Sequence, residues 1–290
     1  MTTGSVLITG CSSGIGQAAA LALHEAGRTV VATARNPATL SGLADRGLRT
    51  LALDVTDEAS MQAAVDAAGP IGVLVNNAGY GLYGTVEQLP MAEIRRQFET
   101  NFFGLVRLTQ LVLPGMRAAG GGRILNVSSM GGRATLPGGA FYHASKYAVE
   151  ALSDALRMEV APFGIDVVLI EPGPVRTPWN DVAAGSVAVS AAPGGAASSS
   201  AANGNGNGAD PYAGFKDAVT AAFSTATDGP LARFSSSADD IAKVITRAVT
   251  ARRPRTRYLI NPVARTTVTL RRWLPDRAYD AVLRRQYHLP

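Results

Sequence analysis

Residues 5–27 read SVLITGCSSGIGQAAALALHEAG: an apolar run Ser5–Thr9, a glycine-rich turn Gly10-Cys-Ser-Ser-Gly14-Ile-Gly16, then an alanine-rich helical stretch ending near Gly27. A run this short and this apolar fits a strand buried on both faces, and strand, tight turn and helix in that order begin a βαβ unit. Glycines let the backbone come close to a pyrophosphate, and the helix N-terminus behind them offers free N–H groups and the positive end of its dipole. The spacing is GxxxGxG rather than GxGxxG, and such a turn by itself also suits an ordinary βα connection.

Working outward, the same unit recurs. Further strands are read at Thr29–Thr33, Leu48–Leu53, Ile71–Val75, Arg123–Ser128, Ile165–Ile170 and Thr256–Ile260, separated by helical stretches. Most are apolar throughout, as strands covered on both sides must be. The 290 residues with 47% hydrophobic content suit one sizeable core. The expectation is a single-domain α/β fold over residues 1–262, a Rossmann-type doubly wound sheet of about seven parallel strands with helices on both faces.

The densest chemistry lies in residues 141–156, FYHASKYAVEALSDAL, where Tyr142 and Lys146 are four apart on a helix and so project from one face. A phenol titrates near ~10, and bringing it to neutrality takes about 4 kcal/mol. An ammonium about 4 Å away supplies that order of energy at an effective dielectric of ~20. The chain has only three lysines among its 27 basic residues, so a lysine here, where arginine is the default cation, points to a need for the slimmer ammonium. His143 falls on another helical face and is left out of the site.

Other polar residues follow at strand ends. Asp54, after Leu51-Ala-Leu53, can accept from an adenine amino group or cap the next helix. Asn76-Asn77-Ala78-Gly79 ends the fourth strand in a turn that needs small residues. Asn101 interrupts the helical pattern Ile94, Phe98, Phe102, Leu105, where asparagine is locally unfavourable. The fifth strand runs into Ser128-Ser129, and the sixth into Glu171-Pro172-Gly173-Pro174-Val175-Arg176-Thr177.

Taken together and in this order, TGxxxGIG, NNAG, Asn101, Ser129, the Tyr142/Lys146 pair and PGxxxT resemble the short-chain dehydrogenase/reductase family, in its short single-domain branch. The resemblance covers about residues 4–180 and 240–262. It implies that Tyr142 exchanges a proton with the substrate oxygen and that Ser129 donates a hydrogen bond to that oxygen. It implies that Lys146 lowers the Tyr142 pKa and holds the nicotinamide ribose, while Asn101 positions a water that links Lys146 to solvent. Cofactor contacts are implied for Gly10, Ser12, Ser13, Gly14, Ile15 and Gly16. They are implied further along for Asp54 and Val55, for Asn77, Ala78 and Gly79, and for Pro172, Gly173, Val175 and Thr177. No metal is implied.

The second strand ends Ala34-Arg35, so the acid that would hold a ribose 2′-hydroxyl is absent and a guanidinium matched to a 2′-phosphate follows. The cofactor expected is therefore NADP(H). The segments NNAGYGLYG and IEPGPVRT resemble the hydroxysteroid and retinol dehydrogenase branch, which implies a lipophilic carbonyl or alcohol substrate, with Leu82, Tyr83, Met130, Leu136 and Trp179 lining an apolar pocket. An NAD-dependent alcohol dehydrogenase and a non-catalytic dinucleotide sensor are the alternatives.

No long apolar run suggests a membrane span, and the single Cys11 excludes an internal disulfide, so a cytoplasmic protein is expected. Cys11 reads as a small packing residue in the glycine turn. Residues 183–209 are low-complexity and are read as an insertion in a substrate-covering lid. Residues 263–290 form a basic amphipathic extension that either packs its apolar side on the body or meets an anionic membrane or a partner. No nucleic-acid motif accompanies the charge. The Tyr142 helix is apolar on more than one stripe (Ala148, Val149, Ala151, Leu152, Ala155, Leu156 and Val160), and the stripe left over from covering the sheet predicts a homodimer or homotetramer through this helix and the one near Phe98–Leu113.

Overall fold

The computed structural model describes residues 4–189, 210–228 and 232–289. The N-terminal half runs β1 (Ser5–Ile8), α1 (Gly14–Glu25), β2 (Val30–Ala34), α2 (Ser41–Ala44), β3 (Arg49–Ala52), α3 (Glu58–Ala68) and β4 (Ile71–Asn76). The middle runs α4 (Met91–Phe98), α5 (Gly104–Ala118), β5 (Gly122–Val127), α6 (Ala140–Val160), β6 (Ile165–Pro172), β7 (Val175–Arg176) and α7 (Trp179–Val189). The remainder is α8 (Ala213–Asp228), β8 (Ser236–Ser237), α9 (Ala238–Thr250), β9 (Arg257–Ile260), α10 (Pro262–Trp273) and α11 (Asp276–Gln286).

The main sheet has seven parallel strands in the order β3-β2-β1-β4-β5-β6-β9. Chain order reverses between β1 and β4, and at such a switch point the loops after neighbouring strands diverge and open a crevice. Because strand side chains alternate, Val6 and Ile8 pack with Leu23 of α1 and Ile241 and Ile245 of α9, while Leu7 packs with Met61, Leu108 and Leu156 on the other face. This two-sided burial is why the strands read as unbroken apolar runs.

Polar residues inside that core hold helices to strands. Asn76 Nδ2 donates to Thr109 Oγ1 (3.1 Å) and Asn126 Oδ1 (2.9 Å), and Asn126 Nδ2 donates to Ser153 Oγ (2.9 Å), linking β4, β5, α5 and α6. Arg123 on β5 is buried, donates to the carbonyls of Ala248, Val249 and Ala251 at the end of α9, and pairs with Asp166 at 2.7 Å. It closes the C-terminus of that helix with its own positive charge.

One boundary differs from the sequence reading. The stretch 183–209 does not begin as a separate insertion: residues 183–189 continue α7, because Ala183 and Val187 lie on one helical face and are buried with Tyr83 and Val219; residues 190–209 lie outside the described residues. The basic extension follows the first of its two readings. Val268 and Tyr279 are buried with Ala134, against Met130 and Leu259, so its apolar side packs on the turn after β5. No helix among the described residues is long and apolar enough to cross a membrane.

Arg123→Met should leave three helix-end carbonyls without their donor and cost about 3 kcal/mol in urea unfolding. Arg46→Ala removes only the exposed pair with Glu25 and should cost less than about 1 kcal/mol, which makes it the control.

Candidate active site

The crevice between β1 and β4 is held by short polar contacts. Asn77 N–H and Ala78 N–H both donate to Thr9 Oγ1 (3.0 and 2.9 Å), and Asn77 Nδ2 donates to the carbonyls of Thr9 (2.9 Å) and Gly10 (3.2 Å). The glycine turn is packed to its limit against this clasp: a Cβ on Gly16 would sit 2.3 Å from Gly10 O and 2.5 Å from Asn77 Nδ2. Gly10 and Gly14 have φ of +71° and +58°, which side chains resist. Ser12 and Ser13 are exposed at the mouth of the turn, and Ser13, at the N-cap of α1, makes no capping side-chain bond. Thr177 lies against Gly14, so the segment after β6 closes over the turn.

Of the remaining predicted cofactor positions, Arg35 is exposed just past β2. Asp54 does not cap α3: its Oδ1 accepts from Thr56 N–H and Oγ1–H, and Asp57 takes the cap. Val55 is buried, with its carbonyl where a Cβ on Gly104 would fall 2.2 Å away. Cys11 is fully buried beneath the turn, and burial pushes its thiol up to about 12, so it is an inert packing residue.

The predicted catalytic residues converge from three elements. Asn101 falls in a single π-helical turn, Glu99–Phe103, between α4 and α5, the kind of irregularity that turns a side chain inward. Its Oδ1 accepts from Tyr80 N–H (3.0 Å), and its Nδ2 donates to Tyr80 O (2.9 Å) and Ser145 Oγ (3.2 Å). Lys146 is buried and donates from Nζ to Val127 O at 2.9 Å; Gly79 lies beside both, its Cβ position 3.0 Å from Asn101 Oδ1 and 3.7 Å from Lys146 Nζ. Ser129 hydrogen-bonds the Tyr142 phenol.

One expectation is corrected. The lysine does not pull the phenol toward neutrality: its Nζ is 6.0 Å from the Tyr142 ring centre, and burial pushes Tyr142 up to about 12, opposed only by the bond from Ser129. The same burial pulls Lys146 down to about 8, against the pull of Glu150 one turn along. Desolvation of both groups outweighs their mutual attraction at that separation. Glu150 is itself raised to about 7 by burial and by Glu171, with Arg257 bridging Glu150 (3.2 Å) and Asp154 (2.7 Å).

The pocket residues divide. Tyr83 and Trp179 flank Tyr142 with ring centres 5.6 and 5.2 Å away, and Phe223 meets Tyr83 edge-on at 4.7 Å. Trp179 fits only because Gly81 lacks a Cβ, which would lie 2.4 Å from its ring. The α7 helix and the start of the segment leading into α8 are tied to the loop after β4 where Tyr83 N–H donates to Ser186 Oγ (2.8 Å) and Gln88 Nε2 to Asp210 Oδ1 (2.9 Å). Leu82 turns away to pack with Leu89 and Ile94, and Met130 packs under Val268 and Tyr279 rather than beside Tyr142. Leu136 is half-buried.

His143, which the sequence reading leaves out, is buried beside Tyr142 and Tyr83, with ring centres 5.4 and 6.1 Å away. Its ring is buried, Nδ1 lies 3.1 Å from Gly131 O, and Gly131 N–H donates to Ser129 Oγ at 3.0 Å. Gly131 and Gly139 make room for it, since a Cβ on either would come within 2.3 and 2.5 Å of its ring nitrogens. Burial pulls its pKa down to about 4, so it is neutral at pH 7 with Nδ1 as the donor.

Residues 5–185 match the family model for short chain dehydrogenase. The chain is 35% identical over 284 residues to the uncharacterized oxidoreductase YbbO of Escherichia coli (strain K12), covering 96% of this chain and 93% of that one. It is 44% identical over 180 residues to 3-ketodihydrosphingosine reductase of Bacteroides thetaiotaomicron, covering 61% and 65%. A short-chain dehydrogenase from Streptomyces avermitilis superposes with a TM-score of 0.71 at 30% identity, covering 97% and 94%.

The buried imidazole carries a pH signature. The unfolded chain takes up the His143 proton near its ordinary 6.5 and the folded chain only near 4, so stability is full above pH 6.5 and falls as pH drops through that window. The loss should approach about 3 kcal/mol relative to His143→Asn, measured by urea unfolding at pH 7.5 and 4.5.

Proposed function

The chain belongs to the short-chain dehydrogenase family, and on that premise we propose that it is an NADP(H)-dependent oxidoreductase interconverting a lipophilic ketone or aldehyde with its alcohol. Tyr142 is the proton-exchanging group. The observation that carries this reading is the convergence of Ser129, Lys146 and Asn101 around one buried phenol at the C-terminal ends of β4 and β5.

The cradle fits a dinucleotide. The Gly10–Gly16 turn has no room for a side chain at Gly16, which lets it pack close on the clasp, and the N-terminus of α1 behind it has no side-chain cap. Gly10, Ser12, Ser13, Gly14, Ile15 and Gly16 would hold the pyrophosphate, Arg35 the 2′-phosphate, and Asp54 and Val55 the adenine. Asn77, Ala78, Gly79 and Lys146 would hold the nicotinamide ribose, and Pro172, Gly173, Val175 and Thr177 the nicotinamide end. When bound, the nicotinamide supplies or takes up the hydride.

The chain's own residues manage the proton. A phenol held near 12 is protonated at pH 7, the form that gives its proton from Oη to a substrate oxygen as that oxygen gains charge. Gly131 N–H occupies Ser129 Oγ as an acceptor, which leaves the hydroxyl hydrogen free to be donated toward the phenol or substrate oxygen. Lys146, near 8, exchanges its own proton readily and restores that of Tyr142, with Asn101 holding the linking water.

The lipophilic substrate class is supported by the aromatic surroundings of Tyr142 and by the likeness to the 3-ketodihydrosphingosine reductase. A homodimer or homotetramer through α5 and α6 is supported by the exposure of Phe103, in the turn just before α5, and of Tyr147 and Met158 on α6.

Tyr142→Phe removes only the transferable proton and should lower NADPH-dependent turnover of long-chain ketones by about three orders of magnitude or more with cofactor affinity kept. Retention of about a tenth of wild-type turnover would assign the acid elsewhere, and no turnover in the wild type over a graded series of ketones would favour the non-catalytic reading. Arg35→Ala should weaken NADPH by roughly ten- to a hundredfold and leave NADH unchanged, as read by fluorescence titration.

A further inference from the structure

The C-terminal helices leave one face uncommitted. In α10 the inward stripe is Ala264 and Val268, Leu270 and Trp273 lie on the opposite face, and Arg265 and Arg272 are exposed at its flank. Trp273 is 74% exposed, the largest exposure of any bulky apolar residue described, and Arg272 lies over its ring at 5.5 Å. In α11 the inward residue is Tyr279, and Arg277, Arg284 and Arg285 face solvent. Across residues 262–289 there are six arginines and two aspartates, a net +4, and Asp276 is already paired with Arg271 at 2.8 Å.

We propose that the exposed surface of these two helices, which carries Leu270 and Trp273 together with Arg265, Arg272, Arg277 and Arg284, docks the protein on an anionic lipid bilayer. Two signals coincide, as surface anchoring requires: an exposed indole, whose ring is suited to the headgroup level, and arginines whose charge is unmatched by acids on the same helices. Each arginine near an anionic leaflet adds attraction that acts within a Debye length, so several on two adjacent helices act together. The inward face of the same helices packs on Met130 and Ala134, immediately after Ser129, so docking would set the active-site turn close to the bilayer, where lipophilic carbonyl compounds partition. The docking itself does not depend on the redox reading, because it uses no residue of the proposed active site.

The test uses the full chain with Trp179→Phe, which leaves Trp273 the sole tryptophan of the chain's two. With phosphatidylglycerol vesicles at low salt, the protein should co-sediment, its emission should shift to the blue, and about 0.5 M salt should release it. Phosphatidylcholine vesicles should not retain it. Arg277→Glu with Arg284→Glu should lower the bound fraction about tenfold, and Trp273→Ser in the otherwise native chain should weaken binding while turnover of a water-soluble aldehyde is unchanged. The proposal is overturned by failure to bind phosphatidylglycerol at low salt or by equal binding to phosphatidylcholine. It is overturned equally by a blue shift without lipid that tracks a rising mass in light scattering, which would make the face a contact between copies.

Discussion

Everything at the site depends on how the chain closes the gap that a parallel sheet opens at its switch point. After β1 and β4 the two loops would diverge; instead, the Thr9 hydroxyl accepts two backbone N–H groups of the Asn77 turn, and the Asn77 amide grips the carbonyls of Thr9 and Gly10. These bonds satisfy polar groups that would otherwise be buried unpaired, and they fix the glycine turn against the strand that leads to Gly79. With Gly16 packed against the same clasp, the mouth of the crevice has one available shape.

Burial, more than pairwise attraction, sets the chemistry on the other side of the crevice. Tyr142, His143, Lys146 and Glu150 occupy one stretch of α6, and for each of them the largest influence on its pKa is removal from water. The phenol and imidazole are therefore held neutral at pH 7, and the amine is drawn toward neutrality. A helix packed against β5 and β6 can place so many titratable groups in the interior because its neighbours supply specific partners: Val127 O for Lys146, Gly131 O for His143 and Arg257 for Glu150.

Covering elements complete the site from regions distant in the chain. Trp179 and Phe223 come from α7 and α8 and Tyr83 from the loop after β4; Tyr83 and Trp179 flank Tyr142, and Phe223 meets Tyr83. From another side, α10 and α11 press on the Met130 turn. The C-terminal helices thus serve the body with their apolar faces and leave their basic faces to solvent.

The strand periodicity, the glycine turn and the i, i+4 spacing of Tyr142 and Lys146 are local properties, so the seven-stranded parallel sheet and the grouping of motif residues were legible in the sequence alone, with strand ends differing by a residue or two. Local pattern also identified Cys11 as packing and Asn101 as out of place in its helix. What it did not reach depends on contacts between residues far apart in the chain. The Tyr142 pKa was misjudged because a spacing of four residues says nothing of the depth of burial or of where Lys146 Nζ finds its acceptor. Leu82 and Met130 went astray because an apolar side chain does not reveal which of several clusters it will join, and His143 was passed over because its partner, Gly131, is brought to it only when α6 packs on the turn after β5. Sequence determines what can be buried and with what period; the tertiary structure alone decides what each buried group faces, and desolvation makes that the larger energy.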